Sequence, residues 1–180
     1  MSPFVVYKSA HWRLLWLLTA LCLTTHPSIL AKSTSKRQPE VMVQHCFVSH
    51  VIDGDTFICH FSQENEQRVR LIDIDSPERK QPFYHTARKA LSAMVEKQIV
   101  LLHIYGTDKY HRLLSRVYNT DGKDVNFTMI TQGLAWVYHY SDNALYKQAE
   151  QHARREKRGL WQDSSSIDPY DYRKQQKKQK

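Results

Sequence analysis

Long hydrophobic runs are missing from this sequence. The longest, Leu14–Leu23 (LLWLLTALCL), falls well short of the roughly 20 apolar residues that span a bilayer. It follows Lys8 and Arg13 and precedes Pro27–Ala31 (PSILA), the order of an export signal: positive flank, short apolar core, cleavage-like end. Residues 1–31 are therefore expected to be a signal peptide on a periplasmic or secreted protein, with an N-terminal membrane anchor as the alternative. After cleavage, no stable membrane association is expected. Cysteine is scarce too. With Cys22 in the leader, only Cys46 and Cys59 remain, and they are not spaced as a zinc ligand pair. An even pair in an exported chain reads either as a disulfide or as two buried free thiols. The histidines at 85, 103, 111 and 139 also lack the close spacing of zinc ligands. No internal repeat is visible.

Positive charge is abundant overall but short in the part that folds. The formal net charge is +8, with 26 bases against 18 acids. Such a balance usually points to an acidic partner. Ten of the bases, however, lie in the leader, in the polar lead-in 32–40, or in the tail from Arg173 to Lys180 (RKQQKKQK). The remaining 16 face all 18 acids, so residues 38–172 come to −2. A broad basic patch is excluded, and anion binding has to come from placed arginines and a bound cation. Residues 164–180 read as a basic disordered tail.

Along the chain, apolar spacing predicts strands over Val41–Ile52, Thr56–Phe61 and Gln67–Ile74. Asp53-Gly54 between the first two signals a two-residue hairpin of type I′, and Asn65-Glu66 a second turn. In such a hairpin Cys59 faces Val48, with Cys46 diagonal to it. Ala87, Leu91, Met94 and Val95 form one stripe of a helix over Thr86–Gln98. Ile99–Tyr105 and Leu113–Tyr118 read as paired strands. Helices follow over Val125–Gln132, stopped by Gly133, and from about Asn143 to Arg158, capped by Ser141 or Asp142. Strands first, with a helix between the third and fourth, favour an α+β, mainly β fold: a small barrel with helices packed outside it.

Three segments carry chemistry: Val51–Thr56 (VIDGDT), Arg70–Glu78 (RLIDIDSPE) and Thr107–Arg112 (TDKYHR). Ser76-Pro77 ends the strand ladder, so Asp75 and Glu78 belong to a loop at the strand's end. If that corner meets the one bearing Asp55, three carboxylates crowd together and repel unless a cation sits among them. An oxygen-only cluster suits calcium or magnesium rather than zinc. Two arginines beside a hard cation suit phosphodiester cleavage, because guanidinium groups bind phosphate oxygens in bidentate fashion. A nearby glutamate orients or deprotonates the attacking water.

Taken in order and spacing, VIDGDT, R-x₄-DSPE and TDKY-x-R, with a closing GLW at Gly159–Trp161, resemble the signature of the thermonuclease (staphylococcal-nuclease-like) family. The resemblance runs from about Val43 to Trp161. It implies a nuclease domain over 41–163 with a five-stranded OB-type barrel and about three helices, and calcium held by Asp55, Asp75 and the backbone carbonyl of Ser76. It also implies Arg70 and Arg112 as phosphate clamps and Glu78 as the water-orienting or general-base residue. The reaction so implied is hydrolysis of DNA or RNA leaving 3′-phosphate ends. Tyr110, Tyr138 and Tyr140 are the candidate base-stacking residues, and a monomer is the default for so small a domain. The alternative is a non-catalytic OB-fold module that binds nucleic acid or protein.

This sequence also departs from the family pattern. Ser76 stands for the usual threonine, and His111 for a glycine before Arg112. The lysine-rich loop after the PE motif shrinks to Arg79-Lys80-Gln81, and the tyrosine frame places His139 and Ser141 where tyrosines are expected.

Overall fold

The computed structural model describes residues 41–179. The leader and lead-in expected over 1–40 lie outside the described residues. Five strands close into a barrel in the order β1-β2-β3-β6-β5. They are β1 (Met42–Val51), β2 (Thr56–Ser62), β3 (Asn65–Leu71), β5 (Ile99–Thr107) and β6 (Leu113–Tyr118). All neighbours are antiparallel except β3 and β6, whose parallel pairing of Val69–Leu71 with Leu113–Ser115 closes the ring. Among the described residues, the closed barrel has a neighbour on both sides of each of its five strands. Val48, Phe57, Val69, Leu71, Leu102 and Val117 are fully buried and fill the core. A short second sheet pairs β4 (Ile74–Asp75) with β7 (Trp136–Val137).

Outside lie α1 (Tyr84–Val95), α2 (Val125–Thr131), α3 (Ala144–Arg155) and α4 (Pro169–Lys178), with a single 3-10 turn at Gly159–Gln162. The stripe foreseen on α1 faces inward: Ala87, Leu91 and Val95 are buried and Met94 packs against the core. The cap of α3 is Asn143, whose side chain accepts the Tyr146 N–H, rather than Ser141 or Asp142. A smaller apolar cluster of Trp136, Ala153, Leu160 and Trp161 sits beside the barrel.

Four further expectations need correction. The β1–β2 connection is not a two-residue I′ turn. Val51 pairs with Phe57, leaving Ile52–Asp55 as the corner, and Gly54 has no positive φ. A bulge between Val48 and His50 absorbs the difference, so Cys59 still faces Val48. Gly54 is required for space instead: a Cβ there would lie 2.8 Å from Ser76 Cβ and 2.9 Å from Ala87 Cβ. Cys46 and Cys59 are joined by a disulfide, with Cα atoms 5.8 Å apart.

The second turn falls at Gln63-Glu64, not Asn65-Glu66. The third strand ends at Leu71 because Asp73 adopts a left-handed conformation (φ 66), which redirects Ile74–Asp75 into the second sheet. The tail is not disordered throughout: Asp168 caps α4 by accepting the Tyr170 N–H, and Pro169 opens the helix, where its missing N–H costs nothing.

Two glycines lock the helix ends. Gly133 (φ 67) follows α2 and Gly159 (φ 50) follows α3. They lie back to back, the Leu160 N–H donating to the Gly133 carbonyl at 2.8 Å. A Cβ on either would collide with backbone, on Gly159 with the Gly133 carbonyl and on Gly133 with that of Arg158.

Candidate active site

Four chain segments meet at one end of the barrel. Asp55 stands where the corner enters β2, Arg70 on β3, Asp75 on β4, and Arg112 just before β6. Asp55, Asp75 and Arg70 are buried, at 5%, 2% and 9% exposure. Buried charges persist only when paired and hydrogen-bonded, and these are. Arg70 places Nη2 at 3.0 Å from Asp75 Oδ1 and Nε at 3.4 Å from Asp55 Oδ1. Its Nη1 donates to the carbonyls of Leu71 (2.7 Å) and Ile74 (2.9 Å), so the backbone aims the fork. Asp55 Oδ2 accepts the Ser76 N–H at 2.8 Å, fastening the two acidic corners together.

These surroundings split the carboxylates. Burial alone would raise Asp55, but Arg70 and hydrogen bonds from Ser76 and Thr56 bring it below its ordinary value. Burial raises Asp75, only partly countered by Arg173 and Arg70. At the corner, burial and the negative Asp55 push Asp53 up to about 7. The Asp53 carboxylate accepts the Asp55 N–H at 3.1 Å, a turn-forming role.

Arg112 reaches the same place from the far side. Its Nη1 lies 3.5 Å from Thr56 Oγ1, and that hydroxyl donates to Asp55 Oδ1 at 2.9 Å. Asp108 holds the guanidinium by Nε at 2.8 Å and Nη2 at 2.7 Å. Its Oδ1 also accepts the N–H groups of Tyr110 and Arg112. Burial would raise Asp108, but these bonds from Arg112 and Tyr110 bring it below its ordinary value. His111 sits at φ 60, so the turn keeps a glycine-like backbone despite the substitution.

Glu78 is on the loop after Ser76-Pro77, its N–H bonded to Gln81 Oε1 at 2.9 Å. Its carboxylate meets Arg173 of α4, which also grips Asp75. The three tyrosines do not share one wall. Tyr110 lies beside Arg112, with the guanidinium 5.5 Å from its ring, whereas Tyr138 and Tyr140 stack edge-on to each other near α4. Among the described residues no ring contact joins the two groups.

Sequence reasoning missed Thr56, Asp108, Gln81 and Arg173. Thr56 and Asp108 lie inside the motifs already singled out, and Asp168-Pro169 is a helix-start signal that points to α4. Nothing local marks Arg173 as a partner of residues 95 and 98 positions away.

No group of three or more metal-binding side chains stands together among the described residues. What gathers is two carboxylates, Asp55 and Asp75, held by the guanidinium groups of Arg70 and Arg173 and by the Ser76 N–H.

A family model described as "Staphylococcal nuclease homologue" matches residues 68–163. The chain is 38% identical over 133 residues to an "Uncharacterized endonuclease" of Haemophilus influenzae, covering 73% of this chain and 74% of that one. It is 35% identical over 130 residues to an "Uncharacterized endonuclease" of Escherichia coli O157:H7, covering 72% and 84%. With the "Micrococcal nuclease" of Shigella flexneri it shares 34% over 142 residues, covering 72% and 80%. A closed barrel that brings two arginines against buried aspartates, in a chain so similar to these proteins, belongs to the staphylococcal nuclease family.

Proposed function

We propose that this nuclease is calcium-dependent and hydrolyses DNA or RNA to leave 3′-phosphate ends. One observation carries the reading: Arg70 touches both Asp55 and Asp75, while Thr56 links Arg112 to the same Asp55. Guanidinium groups from β3 and from the turn before β6 thus converge on the buried carboxylate of Asp55.

The donors fit a hard cation. Asp55, Asp75 and the Ser76 carbonyl offer oxygen alone, and the two carboxylates already draw in the guanidinium groups of Arg70 and Arg173. Three protein oxygens fall short of the six to eight that calcium takes, which leaves positions for water and phosphate. When bound, the cation supplies Lewis-acid charge to a phosphoryl oxygen. Arg70 and Arg112 hold the phosphate and offset the charge that builds in the transition state. Glu78 accepts a proton from the attacking water. The water oxygen bonds to phosphorus, the bond from phosphorus to the 5′ oxygen breaks, and that oxygen takes a proton from solvent. The exposed rings of Tyr110 and Tyr140, with the half-buried Tyr138 beside Tyr140, would stack on bases.

The test is digestion of plasmid DNA and of RNA by the purified chain, with calcium and with chelator. Cleavage only with calcium, abolished in Glu78→Gln, with 3′-phosphate ends on the products, is the expected result. Cleavage that ignores the chelator or the substitution overturns the mechanism. Retention of DNA on a gel without cleavage under any divalent ion favours the non-catalytic binding module.

We propose also that the chain is exported and loses residues 1–31. The Cys46–Cys59 bridge supports this, since disulfides persist in oxidising compartments. Mature protein starting near Lys32 in an extracytoplasmic fraction is expected; a retained leader identifies the membrane-anchored form.

A further inference from the structure

The last helix does more than trail from the barrel. Arg173 projects from α4 into the candidate cation site. Its Nη2 lies 2.7 Å from Asp75 Oδ2, and its Nη1 lies 3.2 Å from Asp75 Oδ1 and 2.6 Å from Glu78 Oε1. One guanidinium therefore engages both oxygens of one carboxylate and bridges to a second. Asp75 is 2% exposed, and Arg70 already occupies its other side. With Arg173 seated, neither Asp75 oxygen is free for an incoming cation, and Glu78 is committed to an ion pair.

The seat of α4 is separable. Pro169 is the only buried residue of the helix. Besides Arg173, it is held by Tyr170, which stacks on His139 at 4.3 Å and meets Tyr140 Oη at 3.3 Å. Just before the helix, Gln81 Nε2 donates to the Ile167 carbonyl at 2.8 Å. A polar run, Ser164–Ser166, precedes it. Ten residues form only a marginal helix in water once detached. The helix carries Arg173, Lys174, Lys177 and Lys178 against one acid, Asp171, so a divalent cation at Asp75 repels it.

We propose that α4 is a built-in plug: Arg173 takes the cation's place between Asp75 and Glu78, so that cation binding and seating of α4 exclude each other. This rests on the reading of Asp75 and Glu78 given above. The plug keeps the site shut when calcium is low and yields as calcium rises. Two occupants of one site lower each other's apparent affinity by the fraction of time the site is taken. A plug seated 90–99% of the time weakens cation binding about 10- to 100-fold.

The experiment uses the full chain. Calcium is titrated by calorimetry into the wild type, Arg173→Gln, Tyr170→Ala and Asp75→Asn, and hydrogen exchange of residues 169–178 is followed with and without calcium. Arg173→Gln is expected to bind calcium at least about 10-fold more tightly. Tyr170→Ala, which loosens the helix without touching a carboxylate, shifts affinity the same way by less, and Asp75→Asn loses binding. In the wild type, calcium speeds exchange in α4 and leaves the barrel strands unchanged. Calcium that needs Asp75 but ignores Arg173 overturns the plug alone. Binding weakened by Arg173→Gln, or α4 more protected or unchanged with calcium bound, overturns it as well. Calcium that binds without need of Asp75, or not at all, overturns the metal reading and the plug together.

Discussion

The floor of the site and its rim are built differently. On the floor, Asp55 and Arg70 sit at barrel strands and Asp75 on β4, all buried; backbone groups aim Arg70 and Asp55, and Arg70 and Arg173 hold Asp75. On the rim, Arg112, Glu78 and Arg173 belong to turns, a loop and an end helix; Asp108 holds Arg112, Gln81 accepts the Glu78 N–H, and Arg173 bridges Asp75 and Glu78. Strand geometry therefore fixes the charges of the floor, and adjustable contacts fix those of the rim. A change on the floor should cost fold and activity together; a change at Arg112 or Glu78 should cost activity with little loss of stability.

The sharpest test of that contrast is Arg70→Lys. Lysine keeps the charge but not the fork, and it leaves the Leu71 and Ile74 carbonyls and one aspartate short of a donor. Activity should fall on the order of 10²- to 10³-fold, and stability by about 3–5 kcal/mol, read by kcat and by denaturant midpoint. A stable but inactive variant would break the comparison.

Replacing both Cys46 and Cys59 with serine opens a loop of sequence separation 13 that encloses the Asp55 corner. A loss of about 3 kcal/mol is expected, with kcat nearly unchanged once folded. Thermal unfolding with and without reductant measures it.

On the rim, Asp108→Asn should lower kcat about 10-fold by loosening Arg112, while Tm moves little. Its pH dependence has a definite sign. The fold holds Asp108 below its ordinary 3.8, so its contribution to stability is full above that value and is lost as pH falls through the folded value. The variant should lack this acid limb. The smallest effect is a gain: His111→Gly relieves a left-handed backbone (φ 60) and should add about 0.5–1 kcal/mol, seen as a raised Tm. A large loss of activity in that variant would mean that the histidine itself, not the turn, serves the site.

The same division governs what was legible in the sequence. Alternation and turn residues are local, so β1, β2, β5, β6 and the α1 stripe could be read directly. The facing of Cys59 and Val48 came out as expected although the turn did not, because a bulge at one end of the hairpin offsets a longer corner at the other. The parallel β3–β6 pairing that closes the barrel is non-local and left no trace in spacing. The break at Asp73 stayed hidden because an aspartate at positive φ looks like any strand residue in an alternating run. On the rim, the charge run after Tyr172 masked a helix, and with it the reach of Arg173 to Asp75 and Glu78.

The crossing of Gly133 and Gly159 has its own consequence. Each fills its space with backbone, so shrinking a neighbouring side chain makes no room for a substitution at either. Compensating changes are therefore closed off, and the two positions are frozen as a pair. Trp136, which lies three residues past Gly133, pairs with Asp75, and the Trp161 ring follows Gly159 to pack against it. A bulky residue at the crossing would thus shift one of the acidic groups from behind, while every residue of the candidate site kept its identity.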